Sequence, residues 1–131
     1  MTQRPLSPHL GVYRMYRYTL LTSILNRATG LVLSAGLILL VYWLVAIASG
    51  AEAYRGARQL LSLGVLKAVY LVLLATFAYH LVAGLRHLIW DTGHGLEREQ
   101  AKRSAALVVI ASILLFVGLA WWALHAGTHT S

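Results

Sequence analysis

Three long stretches without a charged residue divide this chain, and they span residues 28–51, 68–85 and 104–124. Each reaches or approaches the ~20 residues that a helix needs to cross ~30 Å of hydrocarbon. We therefore predict an all-α fold, an integral membrane bundle of three transmembrane helices at roughly residues 22–49, 66–90 and 104–124. The whole chain, residues 1–131, is expected to form a single membrane-anchor domain.

The composition agrees with a membrane protein and excludes several classes of site. Hydrophobic residues make up 59% of the chain and charged residues only 11%, too few to cover a water-soluble globule. The absence of cysteine excludes a protein-bound iron–sulfur cluster, a thiolate-ligated metal and a disulfide scaffold on this chain. The net charge of +7 comes from basic residues that flank the apolar spans, so we predict no nucleic-acid role.

The distribution of basic residues predicts the orientation in the membrane. One side, formed by the N-terminal segment and the connection after the second span, carries Arg4, Arg14, Arg17, Arg27, Arg86, Arg98, Lys102 and Arg103. The other side carries Arg55, Arg58 and Lys67. Since Lys and Arg concentrate on the inner side of membranes, we expect the N-terminus inside and the C-terminus outside.

A histidine within the second span is the strongest indication of a cofactor site. At about 100° per residue, His80, Gly84, His87 and Asp91 fall within roughly 60° of one another on the helix. An ionisable group at bilayer depth usually has a bound partner. The stripe runs from a lone imidazole in apolar surroundings to a polar cluster at the helix end, which suits a cofactor with an apolar ring and a charged edge, such as haem.

The two histidines of this stripe also have simpler interpretations. His80 could be a neutral imidazole hydrogen-bonded to a neighbouring helix, and His87 could be an ordinary interfacial residue. His87 lies seven residues, about 10.5 Å of rise, from His80, so both cannot ligate one iron, and a propionate is a better partner for His87. The other histidines are expected outside the hydrocarbon: His9, His94, His125 and His129. A second axial ligand must therefore come from another subunit.

A second candidate site lies at the inner mouth of the first helix. Ser23 and Arg27 are four residues apart and share a helix face. A hydroxyl and a guanidinium there could donate hydrogen bonds to a quinone carbonyl and stabilise the negative charge that develops on reduction. The alternative is an arginine that extends to the lipid headgroups and enforces topology.

Three motifs together resemble one family. They are RPLSPHL at residues 4–10 followed by Tyr13, SILNRATG at residues 23–30, and HLVAGLRHLIWD at residues 80–91. In this order, on a three-helix chain of this length, they closely resemble the cytochrome b large anchor subunits of succinate dehydrogenase, respiratory complex II. The resemblance implies a subunit of a succinate:quinone oxidoreductase in the bacterial or mitochondrial inner membrane, with no dehydrogenase site on this chain alone.

The resemblance also implies roles for individual residues. His80 would be an axial ligand of haem b, with the second ligand supplied by a small membrane-anchor subunit. Ser23 and Arg27 would line the quinone site beside an iron–sulfur subunit, which receives electrons from a flavoprotein subunit. His87 and Arg27 would lie near the haem propionates. The family usually has histidine where this chain has Asn26, which can hydrogen-bond a propionate but carries no positive charge.

The sequence is therefore compatible with two functions. The first is a haem b-binding anchor that passes electrons to quinone and docks soluble subunits on the membrane. The alternative is a small proton-conducting or transport subunit, in which four residues form a polar relay: His80, His87, Arg86 and Asp91.

Overall fold

Four helices make up the part of the chain, residues 17–126, that the computed structural model describes. They are α1 (Arg17–Ala48), α2 (Ala51–Leu61), α3 (Gly64–Asp91) and α4 (Arg98–Ala126). Three segments of them are long and apolar enough to cross a membrane: Leu20–Ala48, Gly64–Asp91 and Arg98–His125. The predicted all-α membrane bundle is confirmed. The motif at residues 4–13, with His9, and the distant His129 lie outside the described residues.

The long helices extend beyond the charge-free stretches at several ends. α3 continues through Arg86 to Asp91, and α4 begins at Arg98 rather than near residue 104. Charged residues there are good helix formers, and Glu99 and Arg103 form an exposed pair at 3.6 Å with the favourable spacing of four residues. A charge-free stretch therefore marks only the apolar part of a helix, and the helix continues past its first charged residue.

The short helix α2 was not predicted. It follows Gly50, whose φ of +103° is a conformation that glycine adopts without strain, and it packs against α1. Its sequence, AEAYRGARQLL, is polar overall and too short to cross a membrane, but Ala57 on one side is almost fully buried. α2 connects α1 to α3 as a separate surface helix.

Small residues make the contacts between the helices. α3 lies against both α1 and α4, and in the described residues the buried apolar side chains are small: Ala46, Ala57, Ala78, Ala83, Ala105 and Val108. At Gly36 an added Cβ would lie 2.6 Å from a methyl of Leu73, so α1 approaches α3 closely there. Such packing through small residues is typical of membrane helices, whose large apolar side chains face outward.

Two halves of the bundle differ in chemistry. The polar half contains residues 22–30 of α1, 79–90 of α3 and 101–104 of α4, joined by side-chain hydrogen bonds between helices. The other half contains residues 33–48 of α1, all of α2 and 64–77 of α3. We call it the apolar half because aliphatic side chains make the contacts between α1 and α3 there, although α2 itself is polar. The start of α1, the end of α3 and the start of α4 thus lie at one end of the bundle, as antiparallel neighbours. Which membrane side this end faces stays a prediction.

Candidate functional site

His80 faces α1 from the middle helix and is half-buried. Its Nδ1 lies 3.1 Å from the backbone oxygen of Asn26 and 3.1 Å from Oγ1 of Thr29. The Asn26 carbonyl can only accept a hydrogen bond, so Nδ1 carries the proton and donates it. The hydroxyl of Thr29 points its own hydrogen at the carbonyl of Leu25, 2.7 Å away. In the neutral tautomer that matches this contact, the lone pair is on Nε2.

An apolar cavity of about 560 Å³ lies beside this ring. Its wall consists mainly of aliphatic side chains from α1 and α3, with Phe77, Tyr70 and His80. Gly30 also lines it, and an added Cβ there would lie 3.1 Å from Cε1 of His80. The volume falls in the range of ligand pockets, and the lining offers one nitrogen lone pair in an apolar surround.

These features fit a flat, apolar, metal-containing cofactor such as haem. A metal-binding histidine usually donates its other ring N–H to a carbonyl or carboxylate, which fixes its tautomer and orientation. The Nδ1 contact of His80 with Asn26 is an arrangement of this kind. Within residues 17–126 no group of three or more His, Cys, Asp or Glu residues comes together.

The rest of the predicted stripe is less closely connected. The ring of His87 is half-buried and meets Trp90 edge-on, with centroids 5.6 Å apart. Asp91 is exposed, and a Cβ added at Gly84 would meet nothing within 4 Å. Gly84 thus leaves open space on this face, while the glycine in contact with the His80 ring is Gly30 on the neighbouring helix.

Ser23 and Arg27 lie one helical turn apart on α1. Ser23 is half-buried and Arg27 is exposed. No ion pair joins Arg27 to Asp91 in the described part of the chain. Between these two residues, Oδ1 of Asn26 is buried and has no hydrogen-bond partner among the described residues. The role of Ser23 and Arg27 as a quinone site stays a prediction.

Arg86 joins the helices, a role that was not predicted from the sequence. It is only 6% exposed, and its guanidinium donates to Oγ1 of Thr22 at 3.2 Å, to Oγ of Ser104 at 2.9 Å and to the carbonyl of Ala101 at 2.9 Å. Its Cζ also lies 3.9 Å from the ring centroid of Trp90. A signal was present, since six residues of helix place Arg86 roughly 120° around the axis from His80, away from the cofactor stripe.

Two further histidines have local contacts. Nδ1 of His94 lies 2.9 Å from Oγ1 of Thr92 in the turn after α3. His125 stacks on Trp121 near the end of α4, with centroids 4.4 Å apart. Both side chains are exposed, so neither is placed beside the cavity at His80.

The chain is similar to known membrane subunits over most of its length. Residues 1–119 match the family model described as the succinate dehydrogenase/fumarate reductase transmembrane subunit. The chain is 41% identical over 114 residues to the succinate dehydrogenase cytochrome b556 subunit of Paracoccus denitrificans, covering 87% of each chain. It is 35% identical over 113 residues to the b556 subunit of Rickettsia prowazekii, covering 86% of this chain and 87% of the relative.

A mitochondrial relative is similar over most of the chain as well. The succinate dehydrogenase cytochrome b560 subunit of Sus scrofa is 36% identical over 121 residues, which cover 91% of this chain and 71% of the relative. The family model covers α1, α2, α3 and α4 as far as residue 119. The chain belongs to the succinate dehydrogenase/fumarate reductase transmembrane subunit family, as a cytochrome b membrane-anchor subunit of succinate dehydrogenase.

Proposed function

We propose that this chain binds haem b through His80 and forms part of the quinone-reducing site of a succinate:quinone oxidoreductase. The observation that carries the proposal is the hydrogen bond from Nδ1 of His80 to the Asn26 carbonyl, which leaves Nε2 available beside an apolar cavity. The relatives are cytochrome b556 and b560 subunits, which supports haem as the cofactor. Haem supplies one-electron redox chemistry when bound.

The residues around His80 have distinct tasks in this proposal. Nε2 would ligate the iron, and the carbonyl of Asn26 would orient the ring and raise the basicity of the imidazole. The aliphatic wall would exclude water from the ring face. A second ligand would come from a small membrane-anchor subunit, because within residues 17–126 His80 is the only histidine that lines the cavity. His87 and Arg27 lie toward the end where the propionates would emerge.

The quinone pocket is proposed at Ser23 and Arg27. Both can donate hydrogen bonds to a quinone oxygen, and the cation of Arg27 opposes the negative charge that develops there on reduction. This end of the bundle also docks the iron–sulfur subunit, which carries electrons from the flavoprotein subunit. Succinate oxidation itself takes place on the flavoprotein, and the complex resides in the bacterial or mitochondrial inner membrane.

The proton-relay alternative is less well supported. The proposed relay consists of His80, His87, Arg86 and Asp91. A relay needs hydrogen-bonded neighbours, yet within residues 17–126 no hydrogen bond or ion pair links any two of these four residues. Arg86 instead points its donors at hydroxyl and carbonyl oxygens of α1 and α4. A guanidinium, which keeps its proton in proteins, is also a poor carrier of protons.

A spectrum of the intact membrane complex tests the proposed cofactor. The reduced-minus-oxidised difference spectrum should show b-type haem bands, and the preparation should contain a second anchor chain and two soluble redox subunits. A colourless, fully assembled complex would contradict haem binding and would favour the relay.

Quinone turnover tests the second part of the proposal. Arg27→Leu should lower quinone reduction about tenfold or more, equivalent to at least ~1.4 kcal/mol of transition-state stabilisation. Ser23→Ala should act in the same direction, and Arg58→Leu, which removes an exposed arginine of the apolar half, is the matched control. Succinate oxidation with an artificial acceptor should survive in all three variants. Unchanged quinone turnover in assembled Arg27→Leu and Ser23→Ala complexes would return Arg27 to a topological role.

A further inference from the structure

Arg86 is a buried charge within a membrane-spanning helix and lies beyond the site already described. It is 6% exposed, whereas Arg27 and Arg58 are exposed. An unpaired guanidinium at this depth would be strongly unfavourable, so such a residue persists where its partners satisfy it. What Arg86 contacts therefore indicates what it does.

Its contacts reach all three spanning helices. From α3, Nη1 donates to Thr22 on α1, while Nε and Nη2 donate to Ser104 and Ala101 on α4. The fork of donors on a planar guanidinium can serve three separate acceptors at once, which the single ammonium of lysine cannot do in the same geometry. Trp90 covers the guanidinium from one side at 3.9 Å.

The contact on α1 lies directly beside the proposed quinone residues. Thr22 precedes Ser23 in the chain, and its carbonyl also accepts a hydrogen bond from the hydroxyl of Tyr79 at 3.4 Å. One and a half turns further along α1, His80 contacts Asn26 and Thr29. Residues 22–29 of α1 are therefore held against α3 at both ends, and Ser23 and Arg27 lie within the held segment.

We propose that Arg86 is a positioning residue, which acts through Thr22 to hold Ser23 and Arg27 at the correct height for the quinone headgroup. The inference rests on the proposed quinone pocket. Arg86 does not touch the quinone, and it differs from the haem residues in that its link to α1 can be removed without changing His80. Loss of this link lets the first turns of α1 shift relative to α3, and small displacements of a binding group weaken a substrate's alignment.

Thr22→Val tests this role in the intact complex, since valine keeps the shape of threonine and removes the hydroxyl. The apparent KM for quinone should rise about three- to tenfold, while haem content and succinate oxidation with an artificial acceptor stay at wild-type levels. Thr22→Ser should restore the wild-type KM because it restores the acceptor. Ser104→Ala removes a contact of Arg86 with α4 instead, and should leave the KM within about twofold, since the link to α1 remains.

The outcomes separate this inference from the proposed pocket. If Arg27→Leu lowers quinone turnover but the KM of Thr22→Val is unchanged, the pocket stands and Arg86 is not a positioning residue. If Thr22→Val and Ser104→Ala raise the KM equally, the effect is general loosening of the bundle, and the inference is wrong. If Thr22→Val alone raises the KM while Arg27→Leu has no effect, Arg86 positions a quinone site whose ligands are not Ser23 and Arg27.

Discussion

The polar and apolar halves of this bundle hold their helices together in different ways. In the polar half, directional hydrogen bonds from Tyr79, His80 and Arg86 reach across to α1 and α4. In the apolar half, α1 and α3 meet at Gly36 and Leu73 and leave cavities of about 560 Å³ and about 410 Å³ along their sides. Hydrogen bonds define a helix register, whereas aliphatic contacts allow small shifts. His80, Ser23 and Arg27 lie in the half with the defined register, whereas most of the side chains that line the cavity beside His80 belong to the apolar half.

Removal of one arginine from each half, a buried one and an exposed one, should produce the largest contrast in stability. Arg86→Leu removes three hydrogen bonds from the polar half and should weaken helix association by about 2–4 kcal/mol. Arg58→Leu removes the same charge from an exposed site in the apolar half, and its effect should stay within about 0.5 kcal/mol. Thermal denaturation of the two purified complexes measures the difference. Equal loss of stability would contradict the comparison.

A methyl group added to each close glycine should give the next largest contrast. In Gly30→Ala the new Cβ meets the His80 ring at 3.1 Å, and the ring cannot move without loss of its Nδ1 contacts. Haem affinity should fall about tenfold.

The matched variant in the apolar half is Gly36→Ala. Its new Cβ approaches Leu73 even more closely, at 2.6 Å, but this flexible side chain also borders a second cavity of about 410 Å³, which His80 does not line, and can rotate into it. Gly36 and Leu73 line the cavity at His80 as well, but the His80 ring is not displaced, so haem affinity should fall less than in Gly30→Ala. Haem titration of both complexes checks the pair, and a greater loss of haem in Gly36→Ala would show that contact distance alone decides the effect.

The smallest contrast concerns two tyrosine hydroxyls. Tyr79→Phe removes the part-buried hydrogen bond of 3.4 Å from the Tyr79 hydroxyl on α3 to the Thr22 carbonyl on α1, and should lower the free energy of unfolding by about 0.6 kcal/mol. Tyr70→Phe removes an exposed bond of 3.3 Å to the carbonyl of Leu61, where water or lipid headgroups replace it, and should cost less. Thermal denaturation again provides the measurement. A larger effect of Tyr70→Phe would mean that the apolar half also depends on hydrogen bonds.

The spans and the histidine could be predicted from sequence because each depends on local pattern. Charge-free length predicts a membrane helix, and an imidazole at that depth indicates a cofactor or a polar partner. α2 could not be found in this way, since a short polar helix beside the membrane has neither the length nor the hydrophobicity of a span.

The partners of His80 and Arg86 were also beyond the sequence. Asn26 and Thr29 are more than fifty residues away from His80 along the chain, and Thr22 is 64 residues away from Arg86. Only the relative height of packed helices brings these pairs together. Counting Arg86 among the surface charges was reasonable from position alone, but its burial between three helices gives it a structural role.

The central claim is that Nε2 of His80 ligates the haem iron, and the coordination state of a His80→Ala complex tests it most directly. Electron paramagnetic resonance and optical spectra of the assembled complex should show that the six-coordinate low-spin b-type haem is lost or converted to another coordination state. His87→Ala should retain six-coordinate haem, with its potential or occupancy altered. A His80→Ala complex that keeps the full six-coordinate b-type spectrum would contradict the assignment.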